Sequence, residues 1–435
     1  MRVAIATLGC KVNQYDSAAI ESRLRAAGCT IVPFAPGAEV YVVNTCTVTD
    51  RADAESRQLA RRAHRFNPSA RVIMTGCFAQ VNPDGAAIPE VHHVVGLNRL
   101  SDMVRAVRGE LDTQRILVDD LRRARQVRTL GTDGYSEQTR AFLKIQEGCD
   151  LFCTFCIVPF ARGRSRSVPP RQVLDHLQAL AARGFQEVVL TGVHLGGYGA
   201  DLDPPIAFCD LLEMLVEQAL VPRLRLSSID PPEVNSRLLE LMRRPNTLCA
   251  HLHIPIQAAA DDVLRRMRRH YDTALLRELT TEIRLRIPEA AIGTDIIAGF
   301  PSETDAQFDR GFELLEQLPL TYFHVFPYSR RSGTTAAKLP DHQPPAVIRA
   351  RAQRLRRLGE HKRAMFATQF IGAQLPVLFE EPAADVDTPV VVGYSRNYQR
   401  VECVGAHELV NREISVRITG ARGARLHGSV ASPLP

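Results

Sequence analysis

EGCDLFCTFC, residues Glu147–Cys156, carries three of the chain's ten cysteines, Cys149, Cys153 and Cys156, in a C-x3-C-x2-C spacing. Three thiolates this close together suit one metal centre, whereas structural zinc and iron–sulfur sites normally take four protein ligands. Three ligands leave one position on the metal open, as a reactive centre needs. No Cys or His follows Cys156 at zinc-finger spacing. The apolar run before the loop, AFLKIQEG from Ala141, reads as a strand, so the loop leaves a strand's carboxyl end.

Strand and helix patterns alternate beyond it. Strands are expected at EVVLTG (Glu187–Gly192), RLRLSSI (Arg223–Ile229), HLHIPI (His251–Ile256), AIGTDIIAGF (Ala291–Phe300) and YFHVFPY (Tyr322–Tyr328). Helices are expected at Pro170–Arg183, Phe208–Ala219, Val234–Arg243, Asp261–Arg286 and Glu303–Gln317. Six βα repeats imply a partial (β/α)6 barrel with its site at the carboxyl ends of the strands. Thr191, Gly192, Ser227, Ser228, Gln257, Gly299 and Tyr328 gather at that edge.

Upstream, residues 1–111 contain three Val/Ile-rich runs, RVAIATLGC (Arg2–Cys10), VYVVNTC (Val40–Cys46) and RVIMTGC (Arg71–Cys77). Continuous apolar strands separated by helical patterns at Asp16–Ala27 and Ala52–Arg65 suit a parallel sheet covered on both faces. Ligands bind such sheets just beyond the strands' carboxyl ends. Cys10, Cys46 and Cys77 all end a strand there, so a second three-thiolate site is expected, plain burial being the alternative for each alone. Cys29, Cys209, Cys249 and Cys403 have no such partners and read as buried core cysteines.

Residues 112–138 read as a basic linker whose Arg122, Arg123, Arg125 and Arg128 could meet phosphate or simply face solvent. An Arg-rich helix, Ala346–Gln369, with an apolar stripe of Leu355, Leu358 and Met365, closes a segment spanning 139–369. Residues 370–435 switch to short alternating segments, QLPVLFE, TPVVVGYS, QRVECVG and EISVRITGAR, with turn residues between them. That texture implies a small antiparallel barrel. The fold class is α/β with this β-barrel appended.

With 435 residues, 45% hydrophobic and 23% charged, the composition is that of a globular protein of two or three domains. No run approaches the roughly 20 apolar residues of a membrane span. The first residues resemble a strand rather than a secretion leader, so a cytoplasmic location is expected. In a reducing compartment ten cysteines point to metal binding or burial rather than disulfides. A net charge of +6 permits an acidic partner without establishing one.

The Cys149 loop after a barrel's first strand resembles the radical S-adenosylmethionine superfamily. There three cysteines hold a [4Fe-4S] cluster whose fourth iron binds S-adenosylmethionine, and reduction yields a 5'-deoxyadenosyl radical. The whole chain further resembles the methylthiotransferases. LGCKVNQYDS (Leu8–Ser17), NTCTVT (Asn44–Thr49) and TGCFAQ (Thr75–Gln80) look like that family's N-terminal domain. EGCDLFCTFCIVPFARGRSRS, TGVHLGGYG, SSIDPPE, HLHIPIQ and GTDIIAGFPSET follow in family order, and the C-terminal barrel resembles the RNA-holding TRAM domain.

The resemblance implies two [4Fe-4S] clusters, one on Cys149, Cys153 and Cys156 and an auxiliary one on Cys10, Cys46 and Cys77. It implies that a sulfide on the auxiliary cluster is methylated by one S-adenosylmethionine, while a second supplies the radical that activates a substrate carbon. Both triads must then face one cavity. It also implies tRNA as partner; an electron donor such as flavodoxin or ferredoxin, no membrane and a monomer are expected, and the sulfur donor stays open. Thr191 and Gly192 resemble the motif near the methionine amino group, Ser227 and Ser228 lie where ribose contacts are common, and Gly299 where the adenine approaches; Gln257 completes the candidate cofactor set.

Lys11-Val12-Asn13-Gln14 and HVFPYSRRSGTTAAKLP (His324–Pro340) look like the branch acting on N6-threonylcarbamoyladenosine beside the anticodon. Its product carries a methylthio group at carbon 2 of position 37. The same chemistry on isopentenyladenosine or on a ribosomal-protein aspartate, or an inactive iron–sulfur RNA-binding protein, are the alternatives. Ala258-Ala259-Ala260 stands where the family usually has Ser-Gly-Ser, removing two hydroxyls and a glycine from a strand-end loop. Arg162, Arg164 and Arg166, then Arg265, Arg266, Arg268 and Arg269, and Arg351, Arg354, Arg356 and Arg357 are candidate phosphate contacts or solvated faces. In the barrel, Arg396, Tyr398 and Arg400 are the candidate RNA face.

Overall fold

Strand-end cysteines can meet only if their strands are neighbours, and in the computed structural model they are. It describes residues 1–111, 115–124, 127, 139–382, 390–404 and 407–431; Arg125 and Arg128 of the expected linker lie outside the described residues. The N-terminal sheet has six parallel strands in the order Thr30–Val32, Arg2–Thr7, Val40–Thr45, Arg71–Gly76, His93–Val95, Ile116–Leu117. The three cysteine-bearing strands are therefore consecutive. The three additional strands are two or three residues long, too short to show a period of their own. Ile116–Leu117 falls inside the expected linker, and Leu121 beyond it is buried.

All six expected strands of the central segment form. Glu187–Thr191 pairs with both Arg140–Lys144 and Arg223–Leu226, and Ala291–Ala298 with both His251–His253 and Tyr322–Pro327, every pair parallel. Single bridges, Leu224 to Leu248 and Ser228 to His253, join the two halves into one curved wall. The helix Lys11–Ala26 of the N-terminal domain packs on Arg140–Lys144, the first barrel strand.

The expected helix Asp261–Arg286 is instead two, Asp261–Met267 and Thr273–Arg286. Arg268 adopts a left-handed φ of +57° and Asp272 caps the second helix through Leu275 N. The break turns Arg269 inward rather than onto a solvated face. In the long helix Pro345–Thr368, Leu355 and Leu358 are buried, but Met365, assigned to the same stripe, is 55% exposed.

The C-terminal strands close into a five-stranded barrel, in the order Gln374–Pro382, Val390–Ser395, Arg400–Val404, Arg425–Val430, Glu413–Arg422; it is antiparallel as expected except where Arg400–Val404 pairs with Arg425–Val430 in parallel. Its Ser395–Arg400 turn plugs the amino-terminal end of the large barrel. Arg223 donates to the carbonyls of Tyr394 (2.9 Å) and Ser395 (3.0 Å), and Arg225 to that of Arg396 (2.9 Å). Both arginines also clamp Glu187 at 2.7–2.9 Å. Burial would push the Glu187 carboxyl up, but Arg225, Arg223 and Arg140 outweigh it and bring it down to about 2. Arg396, expected on an RNA face, is spent here on Glu413 and the Asn246 and Pro222 carbonyls, and Tyr398 packs 4.7 Å from the His251 ring. No helix among the described residues is long and apolar enough to cross a membrane.

Ala260 is the N-cap of Asp261–Met267 and offers no side-chain acceptor, although its φ of −139° and ψ of 127° suit a capping residue. Ala260→Ser is expected to raise unfolding stability by about 1 kcal/mol, read from the urea midpoint; an unchanged midpoint would show that the helix start is satisfied in another way.

Candidate active site

Each triad is shaped by backbone that only glycine allows. Gly148, at φ +76°, sits so close to the following turn that a Cβ would lie 1.9 Å from the Arg164 carbonyl oxygen. Gly76, at φ +92°, would put a Cβ 2.4 Å from Asn44 Oδ1 and the Thr45 carbonyl. The first folds the Cys149 loop back on itself; Cys149 N donates to the Gly163 carbonyl (3.1 Å) and Cys156 N to that of Cys153 (3.0 Å). The second brings Cys77 against the end of the Cys46 strand.

Cys10, Cys46 and Cys77 converge at the sheet edge, close enough that Cys10 raises the other two thiols electrostatically. Burial is the larger cause, pushing Cys77 up to about 12. Cys149 and Cys156 are likewise pushed up to about 12, by burial first and by their neighbouring thiols next. Two sets of three soft donors, with Cys46, Cys77, Cys149 and Cys156 favouring the neutral thiol until a metal displaces the proton, fit iron–sulfur ligation. Cys29, Cys209, Cys249 and Cys403 are buried singly, as expected.

Between the triads lies Arg162, 2% exposed. It donates to Glu147 (2.5 Å), two residues before Cys149, and to Asn13 (2.6 Å) and Asp16 (2.8 Å), on the helix that starts after Cys10. Lys144 donates to the same carboxylates, Asp16 at 2.8 Å and Glu147 at 3.0 Å. Burial opposes the charge on Lys144, yet the two carboxylates outweigh it and hold the ammonium protonated. Arg162 also lowers the buried Cys77 thiol, whose Sγ faces Asn13 Oδ1 at 3.8 Å. A second clasp ties the Cys46 side to the barrel: Arg331 donates to Thr47 (2.7 Å), Asp53 (2.6 Å) and Asp50.

A cavity of about 160 Å³ opens between these clasps. Val48 and Thr49 after Cys46 line one side, Phe155 and Cys156 the other, with Gln257, Asp295 and Tyr328 from the strand ends. Of the candidate cofactor residues only Gln257 reaches it. Thr191 and Ser227 are buried at their strand ends and Ser228 is exposed. Gly192 lies against Gln146, and Gly299 against Ile348 of the long helix. Asp295 hydrogen-bonds His253 Nε2 (2.9 Å) and lies 3.3 Å from His324 Nδ1; these are the one group of three potential ligands drawn within 4.8 Å among the described residues.

Arg162 and Arg166, expected to meet phosphate, are buried, and Arg164 alone of the three is exposed, 3.3 Å from Asp150. Arg269 reaches Asp230 (2.8 Å) and Cys153 Sγ (3.4 Å), and Arg351 reaches Glu303 (2.8 Å) and Asp305 (2.7 Å). Sequence reasoning also passed over Asn13, Asp16 and Lys144. A signal existed: Asn13, Asp16 and Ser17 share one helix face, and a polar stripe beside a candidate ligand points to a partner rather than to water.

Residues 2–96 match the family model described as "Uncharacterized protein family UPF0004", and residues 143–315 that of the radical SAM superfamily. The chain is 38% identical over 424 residues to threonylcarbamoyladenosine tRNA methylthiotransferase MtaB of Bacillus subtilis, covering 96% of this chain and 94% of that one. It is 30% identical to the tRNA-2-methylthio-N(6)-dimethylallyladenosine synthase of Thermoanaerobacter sp., covering 98% and 92%. Among solved structures, the radical S-adenosylmethionine methyltransferase TsrM of Kitasatospora setae shares the fold at a TM-score of 0.54 and 17% identity, over 75% of this chain and 76% of that one.

Arg162→Met is expected to lower unfolding stability by about 3–5 kcal/mol, because it leaves buried carboxylates short of a partner. Arg162→Lys should recover only part, since one ammonium lacks the guanidinium fork that reaches three acceptors. Denaturant midpoints check this, and a wild-type midpoint for Arg162→Met would contradict it.

Proposed function

We propose that this chain, which belongs to the MtaB-type tRNA methylthiotransferases of the radical S-adenosylmethionine superfamily, puts a methylthio group on carbon 2 of N6-threonylcarbamoyladenosine at tRNA position 37. It does so with two [4Fe-4S] clusters and two molecules of S-adenosylmethionine per turnover. The observation that supports the reading is the pair of cysteine triads bolted together through Arg162, with Cys156 of one and Val48 and Thr49, just after Cys46 of the other, lining one cavity. A chain that only made radicals would have no need of Cys10, Cys46 and Cys77. Greater identity to relatives named for threonylcarbamoyladenosine, 34–38%, than to dimethylallyladenosine synthases, 29–30%, supports this choice of substrate.

When bound, the clusters and S-adenosylmethionine supply the radical and the sulfur. The chain's own residues hold and align them. Cys149, Cys153 and Cys156 would hold one cluster and Cys10, Cys46 and Cys77 the other, and loading would displace protons from Cys46, Cys77, Cys149 and Cys156, where burial favours the neutral thiol. Arg269 at Cys153 and Arg162 beside Cys77 set positive charge against the thiolates. Phe152 and Phe160, exposed and edge-on at 6.3 Å beside the cluster loop, suit an unstacked base.

Reconstituted protein is expected to hold about eight irons, four per cluster, and Cys46→Ala about four. Cys46→Ala should still release 5'-deoxyadenosine from S-adenosylmethionine while forming no methylthio nucleoside. Loss of cleavage as well would show that the two triads do not act separately. Nucleoside mass spectrometry of a strain lacking the gene should find methylthiolated threonylcarbamoyladenosine gone; its persistence would overturn the substrate.

A further inference from the structure

Three side chains on the barrel wall belong to neither cysteine triad. His253 ends the strand His251–His253, Asp295 sits within Ala291–Ala298 and His324 within Tyr322–Pro327, three neighbouring parallel strands. Their register sets them on one face. Asp295 is paired with His324, and His253 with Gly293, two residues before Asp295, so alternation turns all three side chains the same way. Asp295 lines the cavity that Cys156 also lines, which makes that face the inner one.

Both imidazoles approach the same carboxylate oxygen, Oδ1 of Asp295, with His253 Nε2 at 2.9 Å and His324 Nδ1 at 3.3 Å. The three ligand atoms lie within 4.8 Å of one another. Nitrogen and oxygen donors bonded to one zinc at about 2.0–2.1 Å stand roughly 3.3 Å apart when tetrahedral, so little movement separates this cluster from a ligated ion. One imidazole already satisfies that oxygen. His324 nevertheless turns to it, although 58% of its side chain is exposed and water is at hand.

The surroundings orient the buried member. His253 Nδ1 lies 3.4 Å from the Tyr322 hydroxyl, which is itself 2.7 Å from His251 Nε2. Tyr322 is buried against Gly293, where a Cβ would come 2.1 Å from the phenol ring. A metal-bound imidazole normally hands its other N–H to such an acceptor. When His253 Nε2 ligates, its proton moves to Nδ1; the Tyr322 hydroxyl accepts from Nδ1 and donates in turn to His251.

We infer that His253, Asp295 and His324 form a binding site for one divalent first-row transition ion, zinc or iron(II), separate from both cysteine triads. Two imidazoles and one carboxylate suit such an ion and leave it coordination positions for a further ligand. Since Asp295 lines the cavity, the ion would stand at the cavity wall. The inference does not depend on which nucleoside the enzyme modifies.

The test uses the full chain loaded with both clusters, so that the six cysteines are occupied, kept anaerobic and dialysed against zinc. Inductively coupled plasma mass spectrometry should find about one zinc per chain besides the roughly eight irons of two clusters. Zinc-edge X-ray absorption should show nitrogen and oxygen at about 2.0–2.1 Å and no sulfur at about 2.3 Å. His324→Ala, a change at an exposed side chain, should weaken zinc binding about tenfold or more. Asp295→Asn, which keeps the side-chain shape, should do the same. Iron content and far-ultraviolet circular dichroism equal to wild type show that both variants are loaded and folded. No zinc on the loaded wild type, a sulfur shell around the zinc, or either variant binding zinc as tightly as wild type overturns the site.

Discussion

Four buried charges, Arg162, Lys144, Asp16 and Glu147, hold this molecule's two halves in register. Two cations face two carboxylates, so the group is neutral as a whole, and each member bonds to both members of opposite sign. Such a network adds little net stability compared with an apolar interface of the same size, because desolvation consumes most of the Coulombic gain. What it contributes is position. An apolar interface between the helix Lys11–Ala26 and the first barrel strand could slide; one built on a guanidinium fork and two carboxylates has a single satisfied arrangement. Asp16 is six residues from Cys10 and Glu147 two from Cys149, so that arrangement sets the spacing between the triads.

The same logic recurs at the other two junctions. Arg331 reaches from the end of the barrel to Thr47, Asp50 and Asp53, bracketing the cavity on the Cys46 side. Arg223 and Arg225 reach from the barrel floor to the Ser395–Arg400 turn of the small barrel. Arginine suits all three junctions because it keeps its charge when buried and can satisfy several acceptors at once. Much of the chain's positive charge is therefore internal mortar. The RNA-facing charge must come from what is left exposed, such as Arg164 and Arg357.

The clusters of arginines show where reading a sequence reaches its limit. Arg162 and Arg164 look alike in the run RGRSRS, yet one is buried between two domains and the other exposed. Arg269 looked like part of a basic helix because nothing local announces the left-handed turn at Arg268 that swings it toward Cys153. Met365 looked buried because its spacing continued a stripe that ended before it. Each misreading involves a partner more than thirty residues away or a helix end, and neither leaves a periodic trace.

The sequence by itself determined the two cysteine triads as candidates, the six barrel strands, the parallel character of the first sheet and the small closing β-barrel. These follow from local causes: ligand spacing, unbroken apolar runs and turn residues act over ten residues or fewer. Only the tertiary structure decided that consecutive strands carry Cys10, Cys46 and Cys77 to one edge, and that Asn13 and Asp16 belong to the Cys149 loop's support. A charge's partner is chosen by the fold, since Coulombic and hydrogen-bond energies depend on distance and burial in space. Asn13 and Arg162 lie 149 positions apart, and Thr47 and Arg331 284.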